Sequence, residues 1–177
     1  LDPQLAAIVA AMRASHTPPP FSGTPEQARQ RMTRAIMAAR EKTGVPAVGS
    51  VEDCIAAHGS LRVPVRIYRP ANAQSPCPTV VFFHGGGFVL GSVELMDDIA
   101  RKLCRDVNAV VVSVDYRLAP EHPFPAAPED CVTAYRWLLR QGYAPEDIVV
   151  GGESAGGTLT LALLLALVRG RTLADAA

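Results

Sequence analysis

Hydrophobic residues follow one spacing before about residue 45 and a different spacing after it. In the first part they recur at helical intervals on a polar chain, which predicts one helix over residues 2–14 and a second over 24–42. Thr24, Pro25 and Gln27 have the chemistry of a helix start, because Thr caps the helix, Pro suits its first turn and Gln completes a capping box. The apolar stripe of the second helix is thin, as is typical of a helix that lies over a surface.

After residue 48 the pattern changes to that of strands. Segments 51–57 and 61–68 are predicted to pair through a hairpin turn at His58-Gly59-Ser60. Continuously apolar strands then alternate with helices, in the order strand 79–83, helix 94–106, strand 109–114, helix 128–141, strand 147–150 and helix 154–169. Strands without polar alternation are covered on both faces, so this order predicts an α/β fold with a mostly parallel sheet and helices on both faces.

Composition and charge narrow the classes of partner. The chain has 177 residues, of which 49% are hydrophobic and 19% charged, as expected for one globular domain with a sizeable core. Seventeen basic and seventeen acidic residues give a net charge of zero, so no nucleic-acid partner is expected. The longest apolar stretch, 159–168, is too short to span a bilayer, and no secretory leader is apparent in the sequence.

The four cysteines, Cys54, Cys77, Cys104 and Cys131, lack the spacing of a metal or redox site, and no histidine cluster accompanies them. Cys104 and Cys131 fall in predicted amphipathic helices, where we expect them to be small buried hydrophobes. The expectations are therefore no metal, no cofactor, and a reducing, cytoplasmic location.

The segment Gly152-Glu153-Ser154-Ala155-Gly156-Gly157 directly follows the last apolar strand. This pattern predicts a nucleophile elbow, a turn so tight that Ser154 lies at its apex and the flanking glycines avoid a Cβ clash. The alternative is a serine that only caps the following helix, which is common. Glycines at 151, 152, 156 and 157 favour the nucleophile, because a plain cap does not need close backbone approach.

The segment His84-Gly85-Gly86-Gly87 follows an earlier apolar strand and offers bare N–H groups that could hold a developing oxyanion. Phosphate binding is disfavoured, because a dinucleotide motif requires glycine where this chain has Leu90, and no P-loop lysine follows. His84 precedes the glycines at the strand end, so we expect it to hold the loop by hydrogen bonding rather than to act as a base.

Residues 115–130 contain acids, an arginine, a tyrosine and His122, which together resemble a catalytic cluster. The density of proline instead favours a rigid connector whose polar groups satisfy one another. We therefore interpret this segment, His122 included, as structural.

The three motifs together resemble those of the hormone-sensitive-lipase-like carboxylesterases, which belong to the α/β-hydrolase superfamily. The resemblance implies an α/β-hydrolase fold in which Ser154 is the nucleophile and the N–H groups of Gly86, Gly87 and Ala155 form the oxyanion hole. It further implies that residues 1–45 are a helical cap segment and that 46–177 are the N-terminal part of the catalytic domain. The remaining motif residues, in structural support, are His84, Gly85, Gly152, Glu153, Gly156 and Gly157. Family members usually carry Asp where this chain has Glu153.

The resemblance also implies residues that the chain lacks after Ser154. The family brings an Asp and then a His from later strands, whereas no His follows Ser154 here and the single later acid, Asp175, is not assigned a role. The sheet would end on an apolar edge, which invites pairing with another chain. The expectation is that the fold is truncated after the nucleophile helix, that the chain alone is inactive, and that a second polypeptide or self-association completes the sheet.

The expected function of the complete unit is a serine carboxylesterase or lipase-like hydrolase that acts on esters of short or medium acyl chains through an acyl-enzyme. A non-catalytic small-molecule receptor on the same fold remains open, because such proteins keep the serine and lack the histidine. An amidase or deacetylase also remains open, because it would use the same machinery.

Overall fold

The computed structural model describes residues 2–15, 18–19, 21–73 and 76–170. Over these residues helices and strands follow one another in the order α1 Pro3–Ala14, α2 Pro25–Thr43, β1 Ser50–His58, β2 Leu61–Arg69, β3 Thr79–Phe83, α3 Asp97–Val107, β4 Val110–Val114, α4 Ala126–Arg140, β5 Ile148–Gly152 and α5 Ala155–Arg169, with a single 3-10 turn, Pro145–Asp147, before β5. The predicted order of elements is confirmed.

The N-terminal helices begin with the chemistry that the sequence indicates. Thr24 Oγ1 accepts a hydrogen bond from the Gln27 backbone N–H at 3.3 Å, and Gln27 Oε1 accepts one from the Thr24 N–H at 3.1 Å, which completes the capping box of α2. None of the residues of α1 is buried. The division of the chain into a cap over 1–45 and a catalytic part over 46–177 stays a prediction.

The strands form one sheet in the order β1-β2-β4-β3-β5. The hairpin β1–β2 and the β2–β4 pair are antiparallel, whereas β4, β3 and β5 run parallel to one another. The described sheet is therefore mixed, with the parallel part formed by the three continuously apolar strands. Their carboxyl ends lie at one edge, which is where ligands bind in open α/β sheets.

Both faces of the sheet are covered. On one face α4 and α5 pack over a cluster that includes Val81, Phe83, Val112, Leu159 and Leu163. On the other face α3 packs over a smaller cluster, which contains Tyr68, Phe82, Met96, Ala100, Cys104 and Val111. Adjacent residues of β3 point to opposite faces, which explains why this strand carries no polar alternation.

Two predicted helix starts differ from the structure. Helix α3 begins at Asp97 rather than at 94, because Ser92 Oγ accepts the Leu95 N–H and holds residues 93–96 in a turn. Helix α4 begins at Ala126 rather than at 128, with Pro128 inside its first turn. Proline is tolerated there because the first N–H groups of a helix have no intrahelical partner.

Cys104 and Cys131 are both fully buried in these helices, as predicted, and all four cysteines are free. Burial raises the pKa of both thiols, so they are poor nucleophiles. They contribute to the core as small hydrophobes.

Apolar surface is exposed at one end of the described sheet. Strand β5 is an edge strand, and Val149 on it is 60% exposed. The adjoining α5 exposes several large apolar side chains, namely Leu161, Leu164, Leu165 and Val168. Among the described helices none is both long and apolar enough to cross a membrane.

Candidate active site

The register between β3 and β5 brings the two glycine motifs together. Phe83, the last residue of β3, is paired with Gly152, the last residue of β5. The backbone N–H of Glu153 donates to the carbonyl oxygen of Phe83 at 3.2 Å. The segments 84–87 and 153–155 therefore leave the sheet side by side, although they are far apart in the sequence.

Ser154 lies at the apex of a strained turn between β5 and α5. Its backbone has φ 53° and ψ −115°, a region that residues with a Cβ rarely adopt. The residue is exposed, and its side chain makes no capping hydrogen bond to α5. Its hydroxyl is thus presented outward at the N-terminus of a helix, where the helix dipole favours negative charge. This geometry is that of an elbow and not of a capping serine.

Two glycines in the elbow are required by close backbone approach. A Cβ at Gly156 would lie 1.9 Å from the carbonyl oxygen of Phe83, and a Cβ at Gly152 would lie 2.4 Å from the carbonyl group of Gly156. Helix α5 can therefore start directly behind β3 only without side chains at these positions.

The expectation that four glycines serve close approach is wrong for the other two. At Gly157 the nearest atom to an added Cβ is the Gly152 carbonyl oxygen at 3.6 Å, an ordinary contact, and nothing lies within 4 Å at Gly151. The side-chain position of Gly157 is directed away from the strand, because successive helical residues point in different directions. Gly157 therefore belongs to the motif in sequence but is not needed for the approach of α5 to β3.

The turn after β3 is built around Gly86. With φ +124°, Gly86 has a conformation that side chains rarely adopt, and its carbonyl oxygen accepts hydrogen bonds from the N–H groups of Val89 and Leu90 at 3.1 and 2.8 Å. Among the described residues, no acceptor takes the N–H groups of Gly86, Gly87 or Ala155. Ala155 is the first residue of α5, so its N–H has no intrahelical partner either. The three predicted oxyanion donors are thus available.

His84 is fully buried and supports the turn from behind. Its Nδ1–H donates to the Gly85 carbonyl oxygen at 2.8 Å, and its ring stacks on Tyr116 with centroids 4.2 Å apart. The Tyr116 hydroxyl donates to the His84 carbonyl oxygen at 2.7 Å. Burial lowers the pKa of His84, outweighing the hydrogen bond to Gly85, so the imidazole is neutral. These contacts agree with the expected role in holding the loop.

A cavity of about 820 Å³ lies in front of the serine. Ser154, Glu153 and the three glycines of the first motif form its floor, and residues of α2 and the segment before it form the opposite wall. That wall contains Pro18, Phe21, Arg31, Met32, Arg34, Ala35 and Ile36. Most of this lining is apolar. Helix α2 therefore lies over the site, as its thin apolar stripe indicates, whereas α1 contributes no residue to the cavity wall.

The proline-rich segment 115–130 has a structural arrangement. The buried carboxylate of Asp130 accepts hydrogen bonds from the backbone N–H of Arg117 at 2.9 Å and from its guanidinium at 2.8–3.1 Å. Asp115 Oδ1 accepts the N–H of Val93 at 3.0 Å and so joins this segment to the turn before α3. Arg117 thus pairs with acids of the same segment, as predicted, whereas Asp115, Tyr116 and Glu121 bind groups outside it. His122 lines a separate cavity of about 390 Å³.

Sequence reasoning missed Arg29, Arg31 and Arg34 on α2. Arg31 and Arg34 line the main cavity, while Arg29 contacts the turn at Val89 and the segment at Ala119. Arg29 shares the side of α2 that carries Met32 and Ile36, whereas Arg31 and Arg34 lie on other sides of the helix, and in sequence none of the three differs from a solvated arginine. Only the tertiary position of α2 gives them a role.

No catalytic base for Ser154 is found among the described histidines. No hydrogen bond joins the Ser154 hydroxyl to a residue that the structure describes, and His84 is engaged with Gly85. Within the same ranges, no group of three or more His, Cys, Asp and Glu side chains could hold a metal ion. The site therefore contains a presented hydroxyl and, beside it, backbone N–H groups that have no acceptor among the described residues.

Comparisons with known proteins agree with this geometry. A family model of the α/β-hydrolase fold matches residues 80–175, and a model of the carboxylesterase family matches residues 13–121. The chain is 46% identical over 103 residues to the carboxylic ester hydrolase LipN of Mycobacterium tuberculosis and 41% identical over 120 residues to carboxylesterase NlhH of the same species. A hyperthermophilic esterase from the archaeon Pyrobaculum calidifontis superimposes with a TM-score of 0.82 at 38% identity.

The chain spans only part of the length of these proteins. The match to LipN covers 55% of this chain and 27% of LipN. The match to NlhH covers 66% of this chain and 38% of NlhH. The superposition on the Pyrobaculum esterase covers 97% of this chain and 55% of that one. Nearly all of the described fold thus has a counterpart in about half of a solved esterase.

Proposed function

This chain belongs to the hormone-sensitive-lipase-like carboxylesterases of the α/β-hydrolase superfamily, and we propose that its full-length protein hydrolyses carboxylic esters through an acyl-enzyme on Ser154. One observation carries the proposal. The exposed hydroxyl of Ser154, at a strained positive φ, faces the same cavity as Gly86 and Gly87, whose N–H groups have no acceptor within the described ranges. That pairing of nucleophile and oxyanion donors is what acyl transfer requires.

The reaction follows from this arrangement. Ser154 Oγ attacks the ester carbonyl carbon while its proton passes to a general base, and the carbonyl oxygen becomes an oxyanion held by the N–H groups of Gly86, Gly87 and Ala155. The tetrahedral intermediate collapses, the C–O bond to the alcohol breaks, and the alcohol takes the proton. Water then attacks the acyl-enzyme in the same manner and releases the carboxylic acid. Each lost oxyanion donor would cost about 10²–10³ in rate.

We expect the general base to be a histidine oriented by a carboxylate, both from outside these 177 residues. His84 is buried behind the turn, and His58 lies at the β1–β2 hairpin against Arg136 and Arg140. The relatives have additional length in which such residues can lie. A second polypeptide or an exchanged segment would serve equally.

The cavity supports esters of short to medium acyl chains. Its volume of about 820 Å³ lies within the usual range of small-molecule sites, and its wall is mostly apolar. Arg31, Arg34 and Glu153 are the charged residues of the lining. An uncharged ester therefore matches most of the surface it would contact.

Pre-steady-state kinetics of the full-length protein with p-nitrophenyl butyrate test the proposal. Wild type should release a burst of nitrophenol that matches the enzyme concentration, and Ser154→Ala should abolish the burst and lower kcat by at least about 10³-fold. Ser60→Ala, in the exposed turn between β1 and β2, is the matched control and should behave as wild type. Unchanged turnover in Ser154→Ala would refute the proposal.

The absence of a hydrogen-bonded base among the described residues also supports a second candidate, a small-molecule receptor that keeps the cavity without turnover. Stoichiometric binding of an ester that is recovered intact would favour the receptor. Hydrolysis of anilides or acetylated amines instead of esters would favour an amidase or deacetylase.

We further propose that the exposed edge at β5 and the apolar face of α5 are covered by the rest of the fold or by a second chain. Val149 and Val168 are 60% and 85% exposed, which is unfavourable for apolar residues on an edge strand and its neighbouring helix. Intact mass under denaturing conditions tests this. A mass well above 18.8 kDa, or a second polypeptide, would support coverage, and so would a dimer of the 18.8 kDa chain in a native mass spectrum. A single 18.8 kDa species that is also monomeric in the native spectrum would contradict it.

A further inference from the structure

Arg29 on α2 joins three segments that are distant in sequence. Its Nε donates to the Val89 carbonyl oxygen at 2.8 Å, and its Nη2 donates to the Ala119 carbonyl oxygen at 2.9 Å. Both Nη atoms also bind the Glu121 carboxylate, at 2.7 and 2.8 Å. One guanidinium therefore contacts the turn after β3 and the proline-rich segment at the same time.

The turn that Arg29 contacts is the one that presents the oxyanion donors. The Gly86 carbonyl oxygen accepts the N–H groups of Val89 and Leu90, and the Phe88 carbonyl oxygen accepts the Ala119 N–H at 2.9 Å. Because Arg29 binds the Val89 carbonyl oxygen, the carbonyl groups of Gly86, Phe88 and Val89 are all paired within the protein. In a trans peptide the C=O and the following N–H point in opposite directions, so fixing the Gly86 carbonyl directs the Gly87 N–H to the other side.

We propose that Arg29 is a positioning residue for the oxyanion hole. Arg29 holds the 86–90 turn in register with Ser154 whenever α2 lies over the site. This inference rests on the proposed esterase function and extends it. It makes α2 more than a wall of the cavity, because the helix that covers the substrate also fixes the donors that stabilise the transition state.

The shape of the guanidinium explains why arginine is needed. Its planar fork donates in several fixed directions, which here reach two carbonyl oxygens and one carboxylate. Glu121 binds both Nη atoms and so fixes the plane in which Nε points at Val89. A lysine at this position could reach one of these acceptors but not all of them.

The chain offers a matched control in Arg40. This residue also anchors α2, through Glu94 at 2.9 Å and Asp98 at 2.7 Å, but none of its hydrogen bonds or ion pairs to described residues reaches the 86–90 turn. Replacing Arg29 or Arg40 with Gln removes an anchor of similar chemistry from the same helix. Only the Arg29 substitution removes the link to the oxyanion donors.

The experiment measures kcat and KM of the full-length protein on p-nitrophenyl butyrate for wild type, Arg29→Gln, Arg29→Lys and Arg40→Gln, together with Tm and inhibition by a trifluoromethyl ketone that forms an oxyanion on the serine. We expect Arg29→Gln to lower kcat about tenfold and to weaken the ketone similarly, with KM within about twofold. This is less than the loss of a donor, because the donors stay and only their position loosens. Arg29→Lys should recover only a part of the loss.

Arg40→Gln should lower Tm about as much as Arg29→Gln and keep kcat within about twofold. Equal kcat losses in both variants, or an Arg29→Gln variant with raised KM and unchanged kcat, would overturn the positioning role. Should Arg29→Gln fail to fold, Arg29→Lys compared with Arg40→Lys gives the same test, because a lysine at position 29 keeps a charge but loses part of the link to the turn. An inactive wild type would instead refute the esterase function itself.

Discussion

Substitution of Gly156 tests the geometry of the elbow most directly. An alanine Cβ there would lie 1.9 Å from the Phe83 carbonyl oxygen and 2.8 Å from that of His84. Cβ atoms essentially never come within 3.0 Å of another heavy atom, so α5 and β3 would have to separate by about 1.1 Å. Both contacts are backbone atoms, which cannot rotate away as a side chain would.

The cost can be compared with that of a neighbouring substitution. Overpacking of this kind costs about 3 kcal/mol or more, because a strand and a helix must both move. Gly157→Ala meets only an ordinary contact at 3.6 Å and gains helix propensity, so it should be neutral or stabilising by up to about 1 kcal/mol. For a domain of this size, Gly156→Ala should lower Tm by about 6 °C or more while Gly157→Ala leaves it unchanged or slightly raised.

Activity should separate the two variants further. A 1 Å displacement between Ser154 and the donors of the 86–90 turn costs about 10²-fold in rate. Thermal unfolding followed by circular dichroism, with kcat measured on p-nitrophenyl butyrate, gives both numbers. Equal changes in Gly156→Ala and Gly157→Ala would refute the argument, since it depends on one glycine facing β3 and the other facing away.

Three further predictions concern charged groups. Burial lowers the pKa of His84, so below the unfolded value of 6.5 the unfolded chain binds a proton that the folded chain does not. The free energy of unfolding should therefore fall with decreasing pH by at most about 1.4 kcal/mol per pH unit. A slope that stays the same in His84→Asn would contradict this. The Arg29 guanidinium lowers the pKa of Glu121 to about 2. The Tm difference between wild type and Glu121→Gln should therefore be constant from pH 9 to 5 and shrink as the pH falls from 4.5 towards 2. A Tm difference that persists at pH 2 would exclude the ion pair as its source. Asp130→Asn leaves the Arg117 guanidinium without its buried counter-charge, so the free energy of unfolding in urea should fall by about 2–3 kcal/mol. An unshifted urea midpoint would show that the pair is dispensable.

The elements were predictable because their signals are local. A capping box fixes the start of α2, and continuous apolar runs identify β3, β4 and β5 without any tertiary information. Where the boundaries differ, the cause is a contact that periodicity does not carry, such as the Ser92 side chain holding residues 93–96 in a turn. The glycine at 157 was over-interpreted for a similar reason, since the side of α5 that faces β3 is decided by packing.

The sequence alone predicts the chemistry that we propose for the site. Ser154 between glycines and the earlier His84-Gly85-Gly86-Gly87 indicate a nucleophile and oxyanion donors, because strained backbone and bare N–H groups leave a residue-level pattern. Only the tertiary structure decided that α2 covers them and that Arg29 holds their turn. An arginine beside the thin apolar stripe of α2 has no sequence feature that distinguishes it from a solvated one. Its role depends on which backbone carbonyls the fold places within reach of its guanidinium, and that placement comes from the packing of segments about 60 to 90 residues apart.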